Sequence, residues 1–547
     1  MRYKSDTIPL STSLDSIMSR GKEIRKAPVN KRVLYLSIQA IFNAIVIGVI
    51  AKGLVYLIDL ITNISFYGKF SIAPSSPAGN HLGWLVVFVP VAGGVIVGVL
   101  ARYGSKAITG HGIPEAMEKI IVEDSKIPPA ITFLKPLSAA ISIGTGGPFG
   151  AEGPIIATGG AFGSLTGQLM HISSSERKIM LAAGACAGMA AIFGSPLAAV
   201  LLAVELLLFE FSPRSLIPVS IGCITGAGMH ILLFTNQPVF AMAMIPAASN
   251  SALILYILFG LITGFIASLV SKSVYAIEDL FEKSPIHWMW WPAIGAIAIG
   301  ITGYFAPYTM GVGYSNITNL LSGTMPLTML LSLCLLKYIS WVISLGSGTS
   351  GGTLAPLLTI GGALGALLGT ATLHLLPSAD VSISMAALIG MAAMFAGASR
   401  ALLTSIVFAL ETTGQSNALL PLLGACLTAY FISFFLMKGS IMTEKIIRRG
   451  VKTPDAFEPD LLQNVTVQQL LLALPSDVDN LPVVYATDDV GFAAEMMGKY
   501  HTDTLLVKGG KLNKNRRALL HPHLSLNTTA TKSKRNILMI HPAEQKG

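Results

Sequence analysis

Charged side chains are scarce in this chain: Asp, Glu, Lys and Arg supply 12% of its 547 residues. Soluble domains carry roughly 25%. Cysteine is rarer still. Cys186, Cys223, Cys334 and Cys426 are the only four, each inside an apolar run and none at a metal-ligand spacing. That excludes a disulfide framework and a zinc site. No His-Glu-x-x-His, paired-aspartate or Ser/His/Asp arrangement is present either, so the chain does not read as an enzyme, and no catalytic residue, metal or cofactor is expected. Apolar residues take the place of charge. They make up 52% of the sequence, with 54 glycines and a mean hydropathy of +0.66. Such a composition excludes disorder and a soluble globular enzyme, whose surface would be far too apolar. The apolar runs are continuous rather than alternating, which excludes a barrel and leaves a polytopic α-helical membrane protein.

The formal net charge is +9. Basic residues gather at the two ends, in Arg25–Arg32 and Lys511–Arg517. This is the pattern of cytoplasmic flanks. Both termini are therefore expected inside, and no nucleic-acid partner is expected. The first long apolar run starts near Leu34, behind a polar, basic stretch, which is not the layout of a cleavable signal. Residues 1–32 read as a cytoplasmic N-terminal segment with a short helix, and 33–450 as the membrane domain. Its runs at 34–61, 83–102, 215–235, 251–271, 289–305, 326–345 and 417–437 are long. Those at 130–143, 152–170, 179–192, 195–210, 354–376 and 384–413 are short or punctuated by Gly and Pro. A span needs about 20 apolar residues. The shorter pieces predict broken or re-entrant helices that line protein or a watery cavity.

The chain repeats itself. Pro154 opens PIIATGGAFGSLTG and Pro356 opens PLLTIGGALGALLG; Gly188 opens GMAAIF and Gly390 opens GMAAMF. Both pairs lie 202 residues apart. Two halves follow, about 34–236 and 250–437. Such repeats in transporters are often inverted, with the substrate site at their interface.

Three glycine-rich breaks carry the chemistry: Gly110-His111-Gly112-Ile113-Pro114-Glu115, Gly144 to Pro154 (GTGGPFGAEGP) and Gly346 to Pro356 (GSGTSGGTLAP). In each, glycines precede an apolar helical segment with proline in its first turn, where a missing N–H costs nothing. Each predicts a helix start with exposed backbone N–H groups at the positive end of the dipole. Several converging starts bind an anion without a full cation, which leaves release easy. Glu152 is the only charged side chain between Leu137 and Ser175 and lies inside one of these starts. An intramembrane carboxylate is a functional candidate by default. Its oxygens can occupy a permeating anion's place, and protonation would free that place.

These breaks resemble the CLC chloride channel and transporter family. GHGIPE is similar to its GSGIPE motif, GAEGP to GREGP and GGTLAP to G-x-F-x-P. Phe193 to Glu205 and Ala398 to Gly414 match in order and spacing, and the resemblance covers about 34–450. It implies an all-α inverted repeat of broken, tilted helices and a homodimer with one anion pathway per subunit. It implies Glu152 as the gate, and backbone amides at Gly150, Ala151, Gly153, Thr353 and Leu354 as anion ligands, with Gly112 beside the inner site.

Three departures stand out. His111 replaces the family's central serine; a neutral imidazole still donates one N–H, or the ring packs away from the anion. Met442, counted without gaps from Leu420-Pro421, stands where the family has its central tyrosine and lacks a hydroxyl. Proton-coupled members commonly carry two adjacent glutamates where this chain reads Glu205-Leu206. That favours a passive, Glu152-gated chloride channel; a proton-coupled antiporter is the alternative, and a non-conducting regulatory protein a third. Glu205 and Glu210 are the candidate proton relays. Glu210 lies four residues past Leu206, about 40° round a helix, or else marks a helix end. Glu115 and Glu118 read as helix-surface charges, and Arg400 and Glu411 as capping or paired residues.

After about Gly439 the composition turns soluble. Residues 451–508 contain a strand, an amphipathic helix and a strand, similar to one partial CBS unit. Nucleotide binding is not expected of it, since 509–547 is basic, polar and without expected structure. A bacterial inner membrane is the expected location.

Overall fold

The computed structural model describes residues 29–122, 125–170, 172–448, 450–451, 483–485, 490–500, 505–508 and 518–520. The first repeat comprises α1 (Val29–Tyr67), α2 (Phe88–Tyr103), α3 (Ile113–Val122), α4 (Ile131–Gly144), α5 (Glu152–Leu169), α6 (Ser174–Phe193), α7 (Pro196–Leu202) and α8 (Pro213–Leu233). The second comprises α9 (Asn250–Glu282), α10 (Trp291–Phe305), α11 (Tyr314–Leu321), α12 (Leu327–Gly346), α13 (Leu354–Leu375), α14 (Ile383–Ser399), α15 (Leu402–Thr413) and α16 (Leu419–Leu436). The short α17 (Glu444–Arg448) follows.

Eight helices thus answer to eight, and their packing matches. α5 lies on α6 as α13 lies on α14; α6 meets α8 as α14 meets α16; α1 meets α8 as α9 meets α16. The GGA-x-G stripe explains the tight α5–α6 and α13–α14 pairs. A Cβ on Gly163 would come 2.9 Å from the Met180 carbonyl carbon, and one on Gly365 2.9 Å from that of Ala386. Small residues let backbones approach in this way where lipid offers no hydrophobic drive.

Among the described residues, seven helices are long and apolar enough to cross a membrane. One is Leu354–Leu375, read from sequence as a broken piece; its glycines serve packing, not interruption. The 384–413 stretch does break, at Arg400, a left-handed residue (φ 61°) that ends α14. The Arg400 guanidinium donates to the carbonyls of Ser433, Met437 and Lys438, closing the C-terminal end of α16. α6 opens on a capping box of Ser173 and Glu176, and Arg32 of α1 grips the same Glu176 through two hydrogen bonds.

The two repeats also cap each other. Glu205 accepts from the Leu403 and Thr404 amides at the start of α15, both at 2.9 Å. Glu411, at the end of α15, accepts from the Leu197 and Ala198 amides at the start of α7, at 3.0 and 2.8 Å. The two glutamates, and the two pairs of donor amides, are each displaced by the same 206 residues. The exchange is reciprocal, as a pseudo-two-fold axis between α7 and α15 requires.

α7 runs on into a π-helical turn, Ala203–Leu208, and leaves the helix at Phe209 (φ 54°). Glu210 therefore lies beyond the helix, and the expected one-turn relation to Leu206 does not hold. In the C-terminal segment, β1 (Val483–Tyr485), α18 (Val490–Tyr500) and β2 (Leu505–Lys508) pair as a parallel strand–helix–strand unit. β3 (Ala518–Leu520) adds antiparallel to β2, inside the stretch expected to lack structure. The N-terminal helix begins at Val29, within the segment assigned to the cytoplasmic lead-in; residues 1–28 lie outside the described residues.

A lost N-cap costs about 1 kcal/mol. Glu205→Ala and Glu411→Ala are therefore expected to lower the melting temperature of the detergent-solubilised protein, and to similar extents. Scanning fluorimetry that finds only one of them destabilising would argue against reciprocal caps of equal weight.

Candidate functional site

The three glycine-rich breaks meet at one place. Gly150 donates to the Gly352 carbonyl at 3.4 Å, and Gly352 donates back to Gly150 at 3.1 Å. These residues are themselves 202 apart, so each repeat pairs with its own counterpart, antiparallel, on the pseudo-two-fold axis. The first break joins the same knot: Gly110 donates to Thr349 and accepts from Gly351, each at 3.4 Å. The starts of α3, α5 and α13 are thereby brought together. Only glycine suits Gly352, where a Cβ would sit 2.6 Å from the Gly150 oxygen.

Glu152 is fully buried in this knot. One carboxylate oxygen accepts from the Ala355 N–H at 2.7 Å, in the first turn of α13. The Leu354 amide and the Glu152 amide itself also face the carboxylate. The other oxygen accepts from the Tyr314 hydroxyl at 3.1 Å. The carboxylate of one repeat thus rests on the helix start of the other. Its oxygens lie at the positive end of a helix dipole, which favours a negative group there. Gly153, Ala151, Thr353 and Leu354 are all buried around it.

The inner candidates fall differently. His111 is buried, and its Nδ1 has no hydrogen-bond partner. The His111 and Gly112 amides, expected to face an anion, are taken by Glu115, at 3.3 and 2.6 Å. Glu115 is therefore no surface charge. It fills the first turn of α3 and lies 3.6 Å from Lys445 of α17. Met442 is fully buried on the loop before α17; its neighbour Ile441 accepts from the Tyr275 hydroxyl at 2.7 Å and donates to Ala398. Glu205 has both oxygens committed, with a third bond from the Thr404 hydroxyl at 2.7 Å. Glu210 lies 3.9 Å from Lys178 and accepts from Ser212. Leu206 is buried.

Lys135 and Tyr314 went unread in the sequence, and Lys337 stands out there only as an isolated charge in an apolar stretch, with no role assigned. Lys135 donates to the carbonyls of Ile108 and Gly110 at 2.8 and 3.0 Å. Lys337 donates to those of Thr309 and Gly311 at 3.0 and 3.5 Å. The lysines are 202 residues apart, and each pins the loop before a short helix. The second of these loops, Gly311-Val312-Gly313, delivers Tyr314. The repeat offset applied to Gly110-His111-Gly112 would have pointed to it.

A chain of long apolar helices and broken ones, whose starts converge on a buried carboxylate, is a polytopic membrane protein. A model of the voltage gated chloride channel family matches residues 93–434, and the chain belongs to this family. It is an integral, multi-pass membrane protein. Over 466 residues it is 30% identical to a protein from Yersinia pseudotuberculosis named H(+)/Cl(-) exchange transporter ClcA, covering 82% of this chain and 95% of the relative. It is 28% identical over 384 residues to a putative chloride channel protein ClcB-like of Ralstonia nicotianae, covering 69% and 89%. Among solved structures, a slow cyanobacterial Cl-/H+ antiporter superposes with a TM-score of 0.68 at 24% identity, covering 76% of this chain and 98% of that one. A CLC-type fluoride/proton antiporter gives 0.59 at 23%, covering 74% and 97%.

Glu152→Ala should leave the Ala355 amide open to an exogenous anion. Crystals grown in bromide are expected to show anomalous density within hydrogen-bond reach of that nitrogen; an empty site in saturating bromide would count against an anion-binding helix start.

Proposed function

We propose that the protein exchanges chloride for protons across the membrane, with Glu152 as the gate. The observation that carries this reading is the Glu152 carboxylate seated on the Ala355 N–H. A group that can hold either the anion's place or a proton couples the two by simple competition. Relatives named as H(+)/Cl(-) exchange transporters support the coupled reading over the passive channel that Leu206 suggested. Function as a transporter rather than an enzyme is part of the same reading, as is the homodimer implied by the family resemblance.

Anion ligands in this proposal are the backbone amides from Ala151 to Gly153 and those of Thr353 and Leu354; the Gly150 amide, expected among them, is spent on the Gly352 carbonyl. His111, whose Nδ1 has no hydrogen-bond partner, supplies an N–H at the inner end, where Met442 offers no hydroxyl and Gly112 contributes close backbone approach only. With Leu206 apolar and Glu205 committed as a cap, the inner proton acceptor falls to Glu210, whose side chain is 15% exposed.

Reconstituted liposomes test the reading. A chloride gradient is expected to drive protons uphill. Glu152→Gln should keep chloride flux and lose proton movement, and Glu210→Gln should slow protons more than chloride. Wild-type chloride flux with no proton movement would return the passive channel to first place.

A further inference from the structure

We propose that Tyr314 supplies the side-chain hydroxyl of this anion pathway: it latches Glu152 while the gate is shut and donates to the anion once the gate has left. The inference deepens the reading of Glu152 as gate and rests on it.

The argument starts from the repeat. Gly110-His111-Gly112-Ile113 and Gly311-Val312-Gly313-Tyr314 are counterparts, 201 residues apart. All four glycines have positive φ: 102° and 99° in the first loop, 68° and 75° in the second. Each loop is clamped by its own buried lysine through equivalent carbonyls. The scaffolds agree, and the residue they deliver at the helix start does not. The first repeat delivers Ile113, which can only pack. The second delivers a phenol, across the axis from the one repeat that carries a glutamate.

The hydroxyl is aimed by its surroundings. The Tyr314 ring lies edge-on to Phe193 and Phe240, with centroids at 5.7 and 5.9 Å, and Phe193 packs in turn on Phe408 at 4.9 Å. Rotating the ring away would break these contacts. The phenol oxygen also faces the Ala151 amide at the start of α5. It therefore sits between the starts of α5 and α13, where the carboxylate now rests and an anion would follow. When Glu152 leaves, this O–H loses its acceptor in a buried site, and an unpaired buried donor is costly. A halide entering the same place restores the bond. Tyr314 thereby provides the hydroxyl that His111 and Met442 do not.

The test uses the full chain in liposomes with chloride as the probe. Tyr314→Phe keeps the ring and removes only the oxygen, so the aromatic packing and the fold are preserved. In the otherwise wild-type protein it is expected to raise chloride turnover, because the shut gate loses its one side-chain donor, the Tyr314 hydroxyl. In the Glu152→Gln background it is expected to raise the chloride KM about tenfold, the scale of one hydrogen bond to a charged group, with little change in maximal flux. An unchanged KM in that background overturns the ligand role, and unchanged or slower turnover with Glu152 intact overturns the latch. If Glu152→Gln by itself leaves both proton coupling and flux untouched, the gate reading fails first and the latch with it, a signature distinct from a silent Tyr314→Phe.

Discussion

Two backbone hydrogen bonds between Gly150 and Gly352 hold the functional centre together. They join residues that correspond in the two repeats, so they fix the axis about which the halves are related. With that point fixed, α5 and α13 start side by side, and the carboxylate of one reaches the amides of the other. The lysines that lie in the protein interior, Lys135 and Lys337, spend their N–H groups on backbone carbonyls. The Glu152 carboxylate is met instead by amides at a helix start, at the positive end of its dipole.

The functional asymmetry is overlaid on a symmetric scaffold. Paired lysines, paired glycine loops and reciprocal glutamate caps obey the repeat. Where the first repeat has Glu152, the second has Leu354; where the first has Ile113, the second has Tyr314. The departures from symmetry are the Glu152 carboxylate and the residues that meet it. A scaffold held by backbone bonds tolerates this, because neither substitution removes a structural contact of the bridge.

Much of this was legible in the sequence, for definite reasons. Glycine and proline at helix starts report local geometry, and two motifs at one offset report a duplication, so the broken helices and the place of Glu152 could be read directly. Contacts across the chain could not. Nothing local in Tyr314 says that its hydroxyl meets a carboxylate 162 residues away. Glu115 looked like a surface charge because a helix-start glutamate usually is one; here the loop of Gly110 to Gly112 folds its amides onto it. Leu354–Leu375 looked broken because glycines that serve close packing and glycines that interrupt a helix are the same letter. Glu210 was placed on a helix face that ends one residue earlier, at a left-handed Phe209 that sequence gives no reason to expect.

The reciprocal caps carry a consequence for biogenesis. The Leu197 amide that begins α7 is satisfied by Glu411, which follows 214 residues later in the chain. The same holds for Gly150, whose partner Gly352 lies in the other half. A nascent first half emerging from the ribosome therefore has polar backbone at α5 and α7 with no partner yet synthesised, in a setting where bare amides are costly. Neither half is a finished unit on leaving the translocon. Water or an insertion factor has to shelter those helix starts until the second half arrives, and a chain severed in the 234–249 connection would regain its interior only by finding its other half within the bilayer.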